Sequence, residues 1–374
     1  MVKEELKTEY MTINMGPQHP STHGVIRFVI KTDGEIIHHC EPDVGYLHRS
    51  IEKIAELMPW QSFIPYTDRV DYVAAMNANW SYCMAVEKLA GIEVPERAEY
   101  LRVIVSELNR ISSHLVAIGA ADMDMGAYTP FIHALRERES INDLLELICG
   151  ARLTYNYMSL GGVRFDAPPL FKEKTLAFLD HFEPVHEQIH RLISDNHIFQ
   201  KRFRKVAVVS ADMAKKYNLV GPNLRGSGVK FDVRKDEPYS IYDQLDFDVP
   251  VGKGFEGVVG DCYDRYIVRA EEIRQSVRII RQCFDKMPEG DIAAKVKRVL
   301  KPPAGHIYVR TETPRGDAGY FISCDGKTSP ERVKIRTGSF TAMSIIPELA
   351  KGLFIADLVA VIGSFDIVAP ELDR

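Results

Sequence analysis

Short runs of apolar and β-branched residues open the chain. "TINM", "VIRFVIKT" and "EIIHHCEP", all within residues 11–42, are separated by the turn-formers Gly16-Pro17 and Asp33-Gly34. Such runs predict strands joined by tight turns. Past residue 60 the period changes. In "AEYLRVIVSELNRISSHLVAIGA", residues 98–120, apolar side chains fall at 101, 104, 108, 111, 115 and 118. Alternating steps of three and four place them on one face of a helix. Similar stretches near 69–90, 131–158 and 173–198 predict a bundle of four helices with short connections.

Beyond the bundle, "KVAVVSADMAKKY" reads as a strand followed by a short helix. Residues 221–257 are rich in Gly and Asp but studded with Phe, Tyr and Leu, so they predict packed irregular structure rather than a linker. A long helix is expected over 261–287. After it "HIYVRTE", "GYFISCDG" and "RVKIRTG" read as strands, and a last helix is expected near 346–362. The most apolar window, "GLFIADLVAVIG", is shorter than the roughly 20 residues of a membrane-spanning helix, and Asp357 interrupts it. No internal repeat is present.

Charge and cysteine usage narrow the function classes. Lys and Arg number 47 against 52 for Asp and Glu, a net charge of −5 that gives no general attraction to nucleic acid or an anionic membrane. The opening "MVKEELKTEYM" has two glutamates and no apolar run, so no secretory or transit peptide is expected. The six cysteines form no C-x-x-C. They read as reduced and buried, in a chain that holds no metal of its own.

Few segments carry chemistry. "GPNLRGSG" lacks the spacing of a phosphate loop, and no G-x-S-x-G is present. "HEQIH" has the wrong order for a zinc-protease helix, and its His186 and His190 read as a solvated polar face. "GPQHPSTHG" differs, because two prolines and two bracketing glycines stiffen the turn that carries His19 and His23. "YTDRVDYVAAMNANW" reads as a helix start with Asp68, Arg69, Asp71 and Tyr72 in its first turn. Capping explains the carboxylates there but not Arg69 or Tyr72. In "AADMDMGAYTPF", Asp122 and Asp124 alternate with Met after the long apolar helix.

A family resemblance emerges from several motifs in order. "MTINMGPQHPSTHGV", "GYLHRSIEK", "DRVDYV", "AVEKLAGIEVPERA", "LGGVRFD", "LRGSGVKFDVRK", "FDVPVG", "GDCYDRY" and "AVIGSFDIVAPELDR" resemble the D-subunit family of proton-pumping NADH:quinone oxidoreductases, respiratory complex I. The resemblance runs from about residue 10 to the C-terminus. It implies an α+β fold like the large subunit of [NiFe] hydrogenases. One family domain would then cover 1–374, with a β-rich N-terminal lobe (1–60), a helix-bundle core (61–200) and a C-terminal α/β lobe (201–374). The cysteines that bind metal in those hydrogenases would fall on Asp71, Ala74, Val368 and Glu371, so the thiolate ligands are gone. The metal pocket is therefore expected to have become a pocket for an organic ligand.

The resemblance further implies a quinone-reducing subunit, active within its complex and coupled to proton translocation. His23 and Tyr72 would hydrogen-bond the quinone head group and supply protons, with Asp124 as the carboxylate partner of His23. Arg69 and His114 would lie near a [4Fe-4S] cluster held by a partner. From periodicity alone His114 reads as a core histidine. The implied partners are subunits B, C, H and I, with a peripheral site on the cytoplasmic side of a prokaryotic membrane and no nucleic acid. The segment "DIAAKVKRVLK" is short where many relatives carry an extra helix. It leaves the electron donor open between NADH, reduced deazaflavin and ferredoxin. A hydrogenase-type subunit and a purely structural subunit are the rival readings.

Overall fold

Along Arg27–Asp33, Phe28, Ile30 and Thr32 turn inward while their neighbours face outward, the alternation a one-sided sheet requires. This strand (β2) pairs antiparallel with Met11–Met15 (β1) on one side and Ile36–Asp43 (β3) on the other. The computed structural model describes residues 10–255 and 257–374, so the reading of the N-terminal leader falls largely outside the described residues. Two short helices not expected from the sequence follow, Ile51–Leu57 (α1) and Trp60–Thr67 (α2).

The bundle is present with shifted ends. Its helices are Ala75–Ala90 (α3), Glu96–Asp124 (α4), Tyr128–Cys149 (α5) and Pro169–Ser194 (α6). The first begins at Ala75 rather than near 69, because the Asp71 carboxylate takes the amides of Val73 and Ala74 and turns the chain. The third stops at Gly150, whose φ of 76° ends the helix before 158. Cys262–Lys286 (α7) joins the bundle, packing on α4 and α6. All six apolar positions predicted on α4 are buried. Its other faces are buried too, because α3, α5 and α7 surround it.

"KVAVVS" is not a strand. Lys205 and Ala207 have φ of 64° and 47°, and two bonds, Val209 N–H to Gly260 and Cys262 N–H to Val206, hold the segment to the start of α7. The 221–257 connector packs as irregular structure with the helical turns Gly221–Gly226 and Val233–Asp236. The later strands Gly305–Thr313 (β4), Gly316–Cys324 (β5) and Arg332–Arg336 (β6) form an antiparallel meander that α3 covers. The final helix is broken into Gly338–Leu349 (α8) and Ile355–Phe365 (α9). Between them, Gly352 and Leu353 bond to the backbone of Ile37 and clip the chain onto β3. Ala369–Asp373 (α10) ends the chain. The whole is an α+β fold.

One contact sets the position of the charged centre described below. The two-residue hairpin Pro314-Arg315 presses Gly316 against Gly221, so that a Cβ on Gly316 would lie 2.5 Å from the Gly221 nitrogen. Gly316 also has φ +106°. Gly316→Ala is expected to lower stability by at least about 2 kcal/mol, from overpacking plus a disfavoured backbone. A thermal melt of the assembled protein checks this.

Candidate functional site

The stiff turn divides the work of its two histidines. Pro20–Thr22 makes one 3₁₀ turn, and the His19 Nδ1 accepts the Ser21 amide at 3.2 Å. His19 therefore builds the turn. His23 ends it in the left-handed conformation, φ 53°, which throws its ring clear of the local backbone. Gly24 follows so close to Ala369 that a Cβ would stand 2.8 Å from the Ala369 Cβ. The turn is thus seated on the C-terminal segment. There the His23 Nε2 lies 2.5 Å from Oδ2 of Asp124, the last residue of α4. The side chains are 14% and 4% exposed, so the pair is nearly dry but reachable from the imidazole side. A short, sheltered contact of this kind orients an imidazole and fixes which ring nitrogen faces the carboxylate. Gly363 of α9 packs against the same place, and a Cβ there would come within 3.5 Å of Asp124 Oδ2.

Tyr72 is on the turn between α2 and α3, not on a helix. It is 38% exposed, and its hydroxyl has no hydrogen-bond partner among the described residues. Burial of the rest of the ring pushes the phenol above its ordinary pKa, so it is a neutral O–H donor at pH 7. Arg69, three residues earlier, points outward with a 45% exposed side chain. Its guanidinium reaches Pro65 O and, at 3.4 Å, the fully buried Asp68. Asp68 is pushed up to about 7 by burial.

His114 is on α4. It is completely enclosed, with Nε2 2.9 Å from Glu272 of α7, which also accepts from Arg225 at 2.9 Å. Burial lowers its pKa, against the pull of Glu272. Its enclosure matches the packed setting that periodicity predicts, and its Nδ1 has no hydrogen-bond partner among the described residues. His186 and His190 are not a solvated face either. They sit against α7, with His186 bonded to Ala270 O at 3.1 Å and His190 to the Tyr266 hydroxyl at 2.7 Å. Burial lowers His186 to about 4. No metal-binding group of His, Cys, Asp and Glu occurs among the described residues, and all six cysteines are free.

The four places that correspond to the hydrogenase cysteines lie inside the protein. Asp71, Ala74, Val368 and Glu371 are all buried. Arg315 from the β4–β5 hairpin reaches the first of them, 2.7 Å from Asp71, and lies 3.3 Å from Asp366 and 3.2 Å from the Ser113 hydroxyl. Only a void of about 10 Å³ remains there. A guanidinium takes the Asp71 carboxylate, and the void beside Asp71 and Glu371 is too small for a ring. Any organic ligand must therefore sit outside this core, where Tyr72 and His23 are accessible. Sequence reasoning missed Arg315 and Asp366, because nothing in "TETPRGD" marks an arginine as buried. A larger cavity of about 970 Å³ lies elsewhere, lined by His190, Arg204, Lys230, Asp248 and Lys253 among others, and holds none of the expected site residues.

Comparison with known proteins bears on what this geometry serves. A family model described as the respiratory-chain NADH dehydrogenase 49 kDa subunit matches residues 124–302 and 294–374. The chain is 58% identical over 368 residues to an NADH-quinone oxidoreductase D-subunit of Anaeromyxobacter dehalogenans, covering 98% of this chain and 97% of that one. It is 59% identical over 367 residues to an NADH-quinone oxidoreductase D-subunit of Sorangium cellulosum, covering 97% and 94%. With the corresponding D-subunit of Chlorobaculum tepidum it shares 50% over 377 residues, covering 100% and 94%.

Proposed function

We propose, from the premise that this chain belongs to the respiratory-chain NADH dehydrogenase 49 kDa subunit family, that His23, Tyr72 and Asp124 form its side of a quinone-reduction chamber. The family has the hydrogenase-large-subunit-like fold, and the chain is a subunit of an NADH-quinone oxidoreductase complex. The observation that carries the proposal is the 2.5 Å His23–Asp124 contact on the C-terminal segment.

Quinone reduction takes two electrons and two protons. The electrons would come from a [4Fe-4S] cluster held by the neighbouring B-subunit, and exposed Arg69 suits the border of such a negative group. The protons fall to this chain. The His23 imidazole, oriented by Asp124, delivers a proton to one quinone oxygen. The Tyr72 phenol, neutral at pH 7, donates to the other. The exposed edges of Tyr72 and Arg69 suit a chamber completed by another subunit. Subunits C, H and I are the further proposed contacts.

No helix among the described residues is long and apolar enough to cross a membrane. The chain would then meet the membrane arm through those partners, on the cytoplasmic side, and take part in proton translocation within the complex. The relatives' names carry NADH, so NADH is the donor class proposed. The absence of cysteine at Asp71, Ala74, Val368 and Glu371, with Asp71 paired to Arg315, argues against a hydrogenase-type centre.

Tyrosine-selective modification of the native complex tests the assignment against a structural role. A bound quinone-site inhibitor is expected to protect Tyr72, which is 38% exposed, and to leave Tyr128, 63% exposed, as reactive as before. Equal labelling of Tyr72 with and without inhibitor would refute the chamber.

A further inference from the structure

Residues 245–251 run along α7 with no strand beside them. Burial alternates at the start, with Leu245 and Phe247 each 3% exposed and Asp246 and Asp248 facing out. That is the period of an extended chain. Its inner edge is held by α7, in antiparallel sense. The Asp246 amide donates to Gln282 Oε1 and the Asp248 amide to Gln275 Oε1, both at 2.9 Å. Just before them, Lys286 Nζ donates to Gln244 O at 2.7 Å. Side chains of one helix thus do what a neighbouring strand would do. The outer edge is bare, because the amides of Val249 and Val251 make no hydrogen bond among the described residues. Pro250 falls in the same alternate series as Asp246 and Asp248, so its missing N–H is on the α7 side. The outer edge keeps its donors.

This edge borders the cavity of about 970 Å³, which Val249 and Val251 line. The floor is α7 itself, with Tyr263, Ile267, Glu271 and Gln275 at steps of four. Across the floor stand His190 and Asp195, at the end of α6. From Tyr263 to Gln275 the floor is about 18 Å long, at about 1.5 Å per residue. That length takes about five residues of extended chain. Charge narrows the occupant further. Of the carboxylates in the groove, Asp248 is 3.2 Å from Arg278 and Glu271 is paired with Arg274. Lys230 and Lys253 line the same groove and form no ion pair among the described residues. Two unpaired lysines therefore face one unpaired carboxylate, Asp195, and the groove favours an acidic guest.

We propose that this groove docks an extended, acidic segment of another subunit of the complex. The segment adds a strand to the bare edge at Val249 and Val251 and sets carboxylates against Lys230 and Lys253. Main-chain bonds to an open edge give such docking its affinity, and the lysines select the partner. The proposal needs only the chain's place in a multisubunit oxidoreductase, and the groove holds none of the residues assigned to the quinone chamber.

The test uses the native complex. With a photoreactive amino acid in place of Lys253, illumination is expected to join this chain to an acidic segment of a different subunit. Mass spectrometry of the joined peptides identifies it. A link to a second copy of this chain, to its own N-terminal residues or to no protein overturns the proposal. Hydrogen exchange checks the bare edge without any substitution. An added strand is expected to slow exchange at Val249 and Val251 by on the order of 100-fold against the unprotected rate. Exchange at the unprotected rate overturns strand addition. Finally, Lys230→Glu combined with Lys253→Glu reverses the charge at two exposed positions on which the fold does not depend. The docked subunit should then be lost from the complex at lower salt than in wild type, and the corresponding pair of arginine substitutions should retain it. Wild-type salt tolerance in the Glu variant overturns the acidic partner. Protection of Tyr72 by a quinone-site inhibitor is read separately, so failure of the groove leaves the chamber standing, and the reverse.

Discussion

Tyr72→Phe is expected to slow quinol formation by about 100-fold, the low end for loss of a general acid, while iron–sulfur reduction by NADH stays at the wild-type level. The substitution keeps the ring, which is part of the turn between α2 and α3, and removes only a hydroxyl that makes no hydrogen bond among the described residues. The fold therefore has nothing to lose. A lost hydrogen bond to a neutral ketone adds about 0.5–1.5 kcal/mol of weaker quinone binding, seen as a raised KM. The expected phenotype is thus split, because electron entry precedes quinone. Stopped-flow reduction of the cluster and steady-state kinetics with a short-chain quinone measure the two halves. Wild-type quinone kinetics in this variant would return Tyr72 to a role as a surface tyrosine.

Asp124→Asn is expected to slow turnover by about 10- to 100-fold without loss of assembly, the range in which removing a charged partner of a functional histidine falls. At 2.5 Å the carboxylate fixes the orientation of the His23 ring. An amide is nearly the same size and supplies no charge. His23→Ala should cost at least as much. On the proposal that Asp124 acts through His23, the double variant should be no slower than His23→Ala alone. Full turnover in both single variants would remove the pair from proton delivery. Fully additive losses would mean the two residues work separately.

The bundle and the sheets were legible because each needs only local repetition. Six positions on α4 recur at three and four, and the residues of β2 alternate, so the side chains themselves state which face goes inward. Boundaries were less legible where a side chain captured backbone amides, as Asp71 does ahead of α3, or where distant backbone competed, as Ile37 does for the chain between α8 and α9. "KVAVVS" has strand composition but no free neighbouring strand, and left-handed residues bind it to the start of α7 instead.

Residue identity in order was enough to carry the family and the expected site residues, and the "GPQHPSTHG" turn was visible as a rigid platform. Turn chemistry alone does not distinguish its two histidines, since both neighbour turn-formers, and it was the resemblance that singled out His23. Only the folded chain separates His19, which accepts a local amide, from His23, which reaches a carboxylate 101 positions away. The same holds for His114 and Arg315. Periodicity places His114 on α4, but its enclosure with Glu272 depends on α7 packing alongside. Arg315 reads as an ordinary hairpin residue until Gly316 meets Gly221 and drives the guanidinium in among Asp71, Asp366 and Ser113. Local patterns record which face is apolar and where the backbone turns, because neighbours in sequence decide those. A buried charge is tolerated only when its partners arrive from elsewhere, and their arrival is a property of the tertiary fold.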